Sequence, residues 1–143
     1  MSVEHILAGK GRQVVTIAPD RTLADAVTCL SERRIGAVVV VDGSGTVLGI
    51  ISERDVVRAV AEAGGEALKA PVSSRMTAKV VTCVPTTSID EIMGLMTEGK
   101  FRHVPVIEGG RLAGIISIGD VVKQRLGDIE SEHRAMRDYI ATA

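Results

Sequence analysis

The same unit is written twice in this chain. Val14 to Gly43 align with Val80 to Gly109 at a constant offset of 66. Val47 to Arg58 align with Leu112 to Lys123 at an offset of 65, and 15 of the 42 aligned positions are identical. A doubled unit constrains the fold strongly, because a small repeat cannot bury its apolar face alone and uses its neighbour as the missing wall. Two such copies imply an internal pseudo-twofold, and a pseudo-twofold makes equivalent clefts.

Each copy predicts the same order of elements. An extended segment comes first, Val14-Val15-Thr16-Ile17 or Val80-Val81-Thr82-Cys83; it is largely β-branched and is closed by Pro19 or Pro85. A helix follows, with Leu23, Ala26, Val27 and Leu30 or Ile89, Ile92, Met93 and Met96 at the spacing of one apolar stripe. Ser88 with Glu91 reads as a capping box, and Thr22 with Asp25 as a weaker version. Two apolar runs joined by a Gly-containing turn then predict a hairpin, 38–51 in one copy and 104–116 in the other. They barely alternate, so both faces of the strands should be covered. A second helix starts after Ser52 and after Ser117, and in the first copy it should stop at Gly64-Gly65.

Residues 1–63 therefore form repeat 1 with a lead-in helix, 64–79 a connector, 80–127 repeat 2, and 128–143 a C-terminal helix or tail. Val72 and Met76 mirror Val3 and Leu7, which predicts a lead-in helix before each repeat. On the tail, Ile129, Met136 and Ile140 mark one face, suited either to lying on its own domain or to a partner.

At 143 residues the chain has the size of one compact module. Its core is aliphatic, with one Phe, one Tyr and no Trp. A net charge of −1 disfavours a general nucleic-acid or membrane-surface binder. Cys29 and Cys83 form no metal-ligand spacing, and a reduced cytoplasmic setting is the expectation. The N-terminus lacks the pattern of a signal peptide, and no apolar run approaches the roughly 20 residues that span a bilayer.

The most specific signal is Gly-Ile-Ile-Ser-x-x-Asp-Val-Val, at Gly49 to Val57 and again at Gly114 to Val122. Ser-x-x-Asp at a strand-to-helix junction is a serviceable helix cap. It also suits a nucleoside: the helix N-terminus favours an anion, and the Asp can accept from the hydroxyls of a ribose. Glycine at 49 and 114 would permit close backbone approach. No nucleophile–base pair, metal set or Walker-type loop is present, so catalysis is not expected.

On these residues the chain resembles a tandem pair of CBS (cystathionine β-synthase) domains, a Bateman module, over about residues 3 to 126. It looks like the stand-alone CBS-pair proteins. The resemblance implies an α+β fold of two β-α-β-β-α repeats packed through their sheets. It also implies regulatory binding of an adenosine derivative, such as AMP, ADP, ATP, S-adenosylmethionine or NAD, with no catalytic cofactor. One cleft would use Val15, Thr16, Ile35 and Gly36 facing Ile115, Ser117 and Asp120, with Arg102 reaching a phosphate. The other would use Val81, Thr82, Phe101 and Arg102 facing Ile50, Ser52 and Asp55. Arg102 and His103 stand where repeat 1 has Gly36 and Ala37, so phosphate-binding groups concentrate on the Asp120 side; Lys10 and Arg12 could add to them. Arg33, Arg34 and Arg54 could serve the Asp55 cleft or a dimer partner.

Three functional classes follow. One is an adenosine-nucleotide-binding module that modulates a partner protein. The second is a ligand-free interaction module, and the third an RNA-binding CBS pair, which the charge and scarce aromatics disfavour. The family also implies a homodimer joined through its helices.

Overall fold

The computed structural model describes residues 1–142. The first repeat is built from β1 (Thr16–Ile17), α2 (Leu23–Arg33), β2 (Ala37–Val41), β3 (Val47–Ser52) and α3 (Glu53–Ala63); α1 (Val3–Lys10) precedes it. The second repeat is built from α4 (Ile89–Gly99), β4 (His103–Glu108), β5 (Arg111–Ser117) and α5 (Ile118–Thr142). Repeat 1 has a three-stranded sheet in the order β1-β2-β3, with β1 parallel to β2 and β2 antiparallel to β3. Repeat 2 has the β4-β5 hairpin, and its first segment is reduced to a single parallel bridge between Cys83 and Val106. The expected strand over 80–83 therefore does not form beyond that bridge: in repeat 1 Val39 N–H donates to Val15 O, and Pro105, the counterpart of Val39, has no N–H to donate to Val81, so Val81 and Thr82 stay exposed.

The repetition extends to fine detail. Both hairpins change register at the same point, between Val40 and Val41 and between Val106 and Ile107. Both first helices end on a left-handed residue, Arg34 (φ 53°) and Lys100 (φ 56°). The caps reverse the expected ranking. Thr22 and Asp25 close a full capping box, while Ser88 only receives the Glu91 N–H. The carboxylate of Asp25 reaches back to the Thr22 N–H at 3.1 Å.

The lead-in segments are exchanged. Val3 N–H donates to Thr87 O, Glu4 N–H to Pro85 O and Ile89 N–H to Met1 O, so the chain's first residues are tied to repeat 2. The equivalent bonds of the connector, Val72 N–H to Arg21 O, Ser73 N–H to Pro19 O and Leu23 N–H to Ala70 O, tie it to repeat 1. The two cores follow suit. Val3, Ile6 and Leu7 complete the core around Ile92, Val104 and Ile116. Ala67 and Val72 complete the core around Leu23, Val38 and Ile51. The second lead-in is a single 3-10 turn over Val72–Ser74, not the α-helix expected; Pro71 caps it, and after Arg75 the chain straightens to bridge Ile50 through Thr77.

Val38 and Val40 face the helices of repeat 1, yet Val39 between them is also fully buried. Pro105 is likewise buried between Val104 and Val106, whose side chains join the repeat 2 core. The strands are thus covered on both faces, the helices on one and the facing repeat on the other, as packing of the two repeats through their sheets requires. Near the seam Gly36 lies against the His103 ring, and Arg54 donates to Lys100 O at 3.3 Å. The tail differs from expectation: α5 runs unbroken through Gly127, so the second helix of repeat 2 and the C-terminal helix are one element. No described helix is long and apolar enough to cross a membrane.

Candidate functional site

Both Ser-x-x-Asp motifs close reciprocal capping boxes. At α3, Ser52 N–H donates to Asp55 Oδ2 at 2.9 Å and Asp55 N–H to Ser52 Oγ at 3.2 Å. At α5, Ser117 N–H donates to Asp120 Oδ2 at 2.9 Å and Asp120 N–H to Ser117 Oγ at 3.1 Å. The cap therefore accounts for Ser and for one carboxylate oxygen of each Asp. In both copies it is Oδ2 that is used, and among the described residues no hydrogen bond reaches either Oδ1.

The two acids differ in their surroundings. Lys10, at the end of α1, donates its ammonium to Asp120 Oδ2 at 2.6 Å and to Ile115 O at 2.9 Å. Burial alone would raise the Asp120 pKa; the Lys10 and Ser117 donors outweigh it and hold the carboxyl below its ordinary value. Asp55 has only its cap, and among the described residues no cation is within ion-pair distance of it. His103 lies between the clusters, against Gly36 and within the field of Lys10, Glu53, Asp120 and Arg102. Its half-buried imidazole is pushed toward the neutral form, chiefly by burial and then by the Lys10 charge. Lys10, Gly36, Ser117 and Asp120 thus meet His103 at one end of the seam, with Arg102 exposed beside them.

Other candidates are placed elsewhere. Val15 and Ile35 rest their side chains on the repeat 1 core. Ile35 also lines an apolar groove of about 290 Å³ between α2 and α3, with Val27, Val56 and Val57. Phe101, the counterpart of Ile35, rests on the repeat 2 core with its ring over Gly99. Thr16 opens into a cleft of about 470 Å³ at the hairpin end of the seam, with Arg12, Ser44 and Arg111. Arg12 is held there by Glu4 and Glu108, so it does not join Asp120. On the Asp55 side, Ile50 is bridged to Thr77, four residues ahead of Val81.

Gly49 and Gly114 do permit a close approach, and within the chain it is the lead-in segments that approach. A Cβ at Gly114 would stand 2.7 Å from Leu7 Cδ2, and one at Gly49 2.7 Å from both Met76 Sδ and Thr77 O. These glycines admit the exchanged lead-ins. Sequence reasoning did not find Arg111, Glu53 or the Lys10–Asp120 pair as such; no periodicity or motif links residues this far apart.

Among the described residues no cluster of three or more His, Cys, Asp or Glu could hold a metal. The geometry offers two acids with one unengaged oxygen each, and cations concentrated on one of them. That suits recognition of a hydroxylated, anionic small molecule.

A family model described as the CBS domain matches residues 10–62 and 72–127. The mitochondrial CBS domain-containing protein CBSX3 of Arabidopsis thaliana is 33% identical over 97% of this chain and 71% of its own length. The crystal structure of the CBS-domain containing protein ATU1752 from Agrobacterium tumefaciens superposes with a TM-score of 0.85 at 54% identity, covering 87% of this chain and 92% of that one. The CBS domain protein PAE2072 from Pyrobaculum aerophilum, described as complexed with AMP, superposes with a TM-score of 0.75 at 26% identity, covering 84% and 89%. The chain belongs to the CBS domain family and carries that domain twice.

Proposed function

We propose that the chain is a regulatory module that binds an adenosine ligand in the clefts of its seam and modulates a partner protein. The carrying observation is that each Ser-x-x-Asp leaves Oδ1 of its acid without an internal partner. An ionised acceptor so placed can take the hydroxyls of a ribose, at roughly 1.5–3 kcal/mol for each bond. The AMP complex described for the Pyrobaculum relative supports the ligand class. AMP, ADP, ATP, NAD and S-adenosylmethionine all carry that adenosine.

The Asp120 cleft should bind more tightly than the Asp55 cleft. Lys10, His103 and Arg102 gather around Asp120, and an arriving phosphate offers Lys10 a second anion. Isothermal titration with AMP on Asp120→Ala and Asp55→Ala tests the ranking, and a larger loss from Asp55→Ala refutes it. AMP should also bind more tightly than 2′-deoxy-AMP; equal affinity would mean the acids do not hold the sugar.

The ligand-free interaction module is the second reading, favoured by the completeness of both caps. A thermal-shift screen separates the two. A ligand at 100 times its dissociation constant adds about 2.7 kcal/mol of stability, and no shift from any adenosine compound supports the second reading. The homodimer belongs to either reading: Val57 and Val122 are equivalent, exposed positions on α3 and α5, suited to a helix-to-helix contact.

A further inference from the structure

The far half of α5 has no contact that explains its sequence. From Ile129 to Thr142 every described residue is exposed. A helical stretch of this length is marginal in water unless its apolar face is covered. That face is ordered. Val122, Leu126, Ile129, His133, Met136 and Ile140 succeed one another at intervals of four, three, four, three and four residues, an alternation that places them on one stripe with a period of 3.5. The five apolar members are between 48% and 67% exposed.

We propose that this stripe is the seam of a parallel two-stranded coiled coil formed with a second copy of the same chain. Leu126, His133 and Ile140 take the a positions, and Val122, Ile129 and Met136 the d positions. The flanking charges select both the partner and its direction. Glu130 and Arg137 then fall at e, and Arg125 and Glu132 at g. In a parallel pair each g residue faces the e residue five positions later in its partner, which matches Arg125 with Glu130 and Glu132 with Arg137. Both matches are attractive, and the twofold makes each occur twice. In the fully overlapped antiparallel pair Glu130 would face Glu130, Glu132 would face Glu132, and Lys123 would face Arg137, all repulsive. Glu130, Glu132 and Arg137 form no ion pair within the chain among the described residues; Arg125 stands 3.9 Å from Asp90. His133 supplies one polar a position, a device that fixes register. The inference does not rest on ligand binding.

The test uses the full chain with Cys29→Ala, since Cys83 is buried. A cysteine from Ile140→Cys should form an interchain disulfide under mild oxidation much faster than one from Asp138→Cys on the outer face. Glu132→Arg or Arg137→Glu should each slow that cross-link roughly tenfold, because two attractions become two repulsions. Glu132→Arg with Arg137→Glu should restore it. The proposal is overturned if Ile140→Cys cross-links no faster than Asp138→Cys, or if charge reversal leaves the rate unchanged. It is also overturned if Val122→Cys mixed with Ile140→Cys gives the preferred heterodisulfide, the mark of the overlapped antiparallel pair.

Discussion

Adding one methyl group at Gly114 or Gly49 tests whether the repeated glycine serves the fold or a ligand. In Gly114→Ala the new carbon would stand 2.7 Å from Leu7 Cδ2 and 3.3 Å from Leu7 Cδ1. Carbon–carbon contacts prefer roughly 3.5–4.0 Å, so Leu7 must retreat by about 1 Å within a close-packed core. Overpacking of this kind costs about 1–3 kcal/mol, against which Ala recovers about 0.4–1 kcal/mol by restricting the unfolded chain. A net loss of about 1–2 kcal/mol follows for Gly114→Ala. Gly49→Ala should cost more, because its methyl would stand 2.7 Å from the backbone carbonyl of Thr77, which cannot rotate aside as a leucine tip can. Urea unfolding followed by far-ultraviolet circular dichroism reads both losses as a lower midpoint at constant slope. In Gly114→Ala, trimming Leu7 to Ala should recover part of the loss, so the double variant is more stable than the sum of the singles predicts. Wild-type stability in Gly114→Ala together with lost AMP affinity would refute the packing account and return the glycine to the ligand.

Other expectations concern charge and reactivity. The folded-state pKa of Asp120 lies below its ordinary value, so its contribution to stability is complete above that value, near 3.8, and is lost as pH falls through the lower folded one. Asp120→Asn should therefore flatten the loss of stability below about pH 4, measured by thermal unfolding across pH; an unchanged profile would mean the Lys10 pair contributes nothing. The Cys83 thiol is pushed up to about 11 by burial and then by Glu91, so it should resist a thiol reagent at pH 8 in the folded protein and label after unfolding. Prompt native labelling at Cys83 would show that the repeat 2 core opens.

Elements with internal periodicity were legible in the sequence. The stripes of α2 and α4 were visible because Leu23, Ala26 and Leu30 or Ile89, Ile92 and Met96 recur at helical spacing, and the same residues are buried. Both hairpins were visible because their apolar runs are broken only by turn residues. The doubling itself pointed to the pseudo-twofold and, through resemblance, to the family. Legibility failed where the outcome depends on a neighbour. Val80 to Cys83 has a strand's composition but gains only one bridge. Gly127 suggested a break in a helix that α5 runs through, since one exposed glycine costs a helix only about 1 kcal/mol. At the candidate site the Ser-x-x-Asp motifs could be read directly, but whether an acid is paired could not. Lys10 is separated from Asp120 by nearly the whole chain, and only the exchange of lead-ins brings them together.

That exchange also ties the cleft to global stability. The repeat 2 core contains a segment covalently attached to the start of repeat 1, while the repeat 1 core is completed by the connector that leads straight into repeat 2, so repeat 2 cannot open fully without pulling on the chain that enters repeat 1. Lys10 is the last residue of the exchanged α1, six residues ahead of β1 in repeat 1, and its ammonium lies on the acid of repeat 2. A ligand that takes Asp120 Oδ1 would therefore bind beside the exchanged segment that ties repeat 2 to the start of repeat 1. Deleting residues 1–10 should unlock repeat 2 first, because it removes Val3, Ile6 and Leu7 from that core and leaves the repeat 1 core intact. Hydrogen exchange should then show lost protection in β4 and β5 with β2 and β3 retained. Equal loss in both sheets would mean the halves are coupled through the seam more strongly than through the lead-ins, and loss confined to β2 and β3 would contradict the exchange itself.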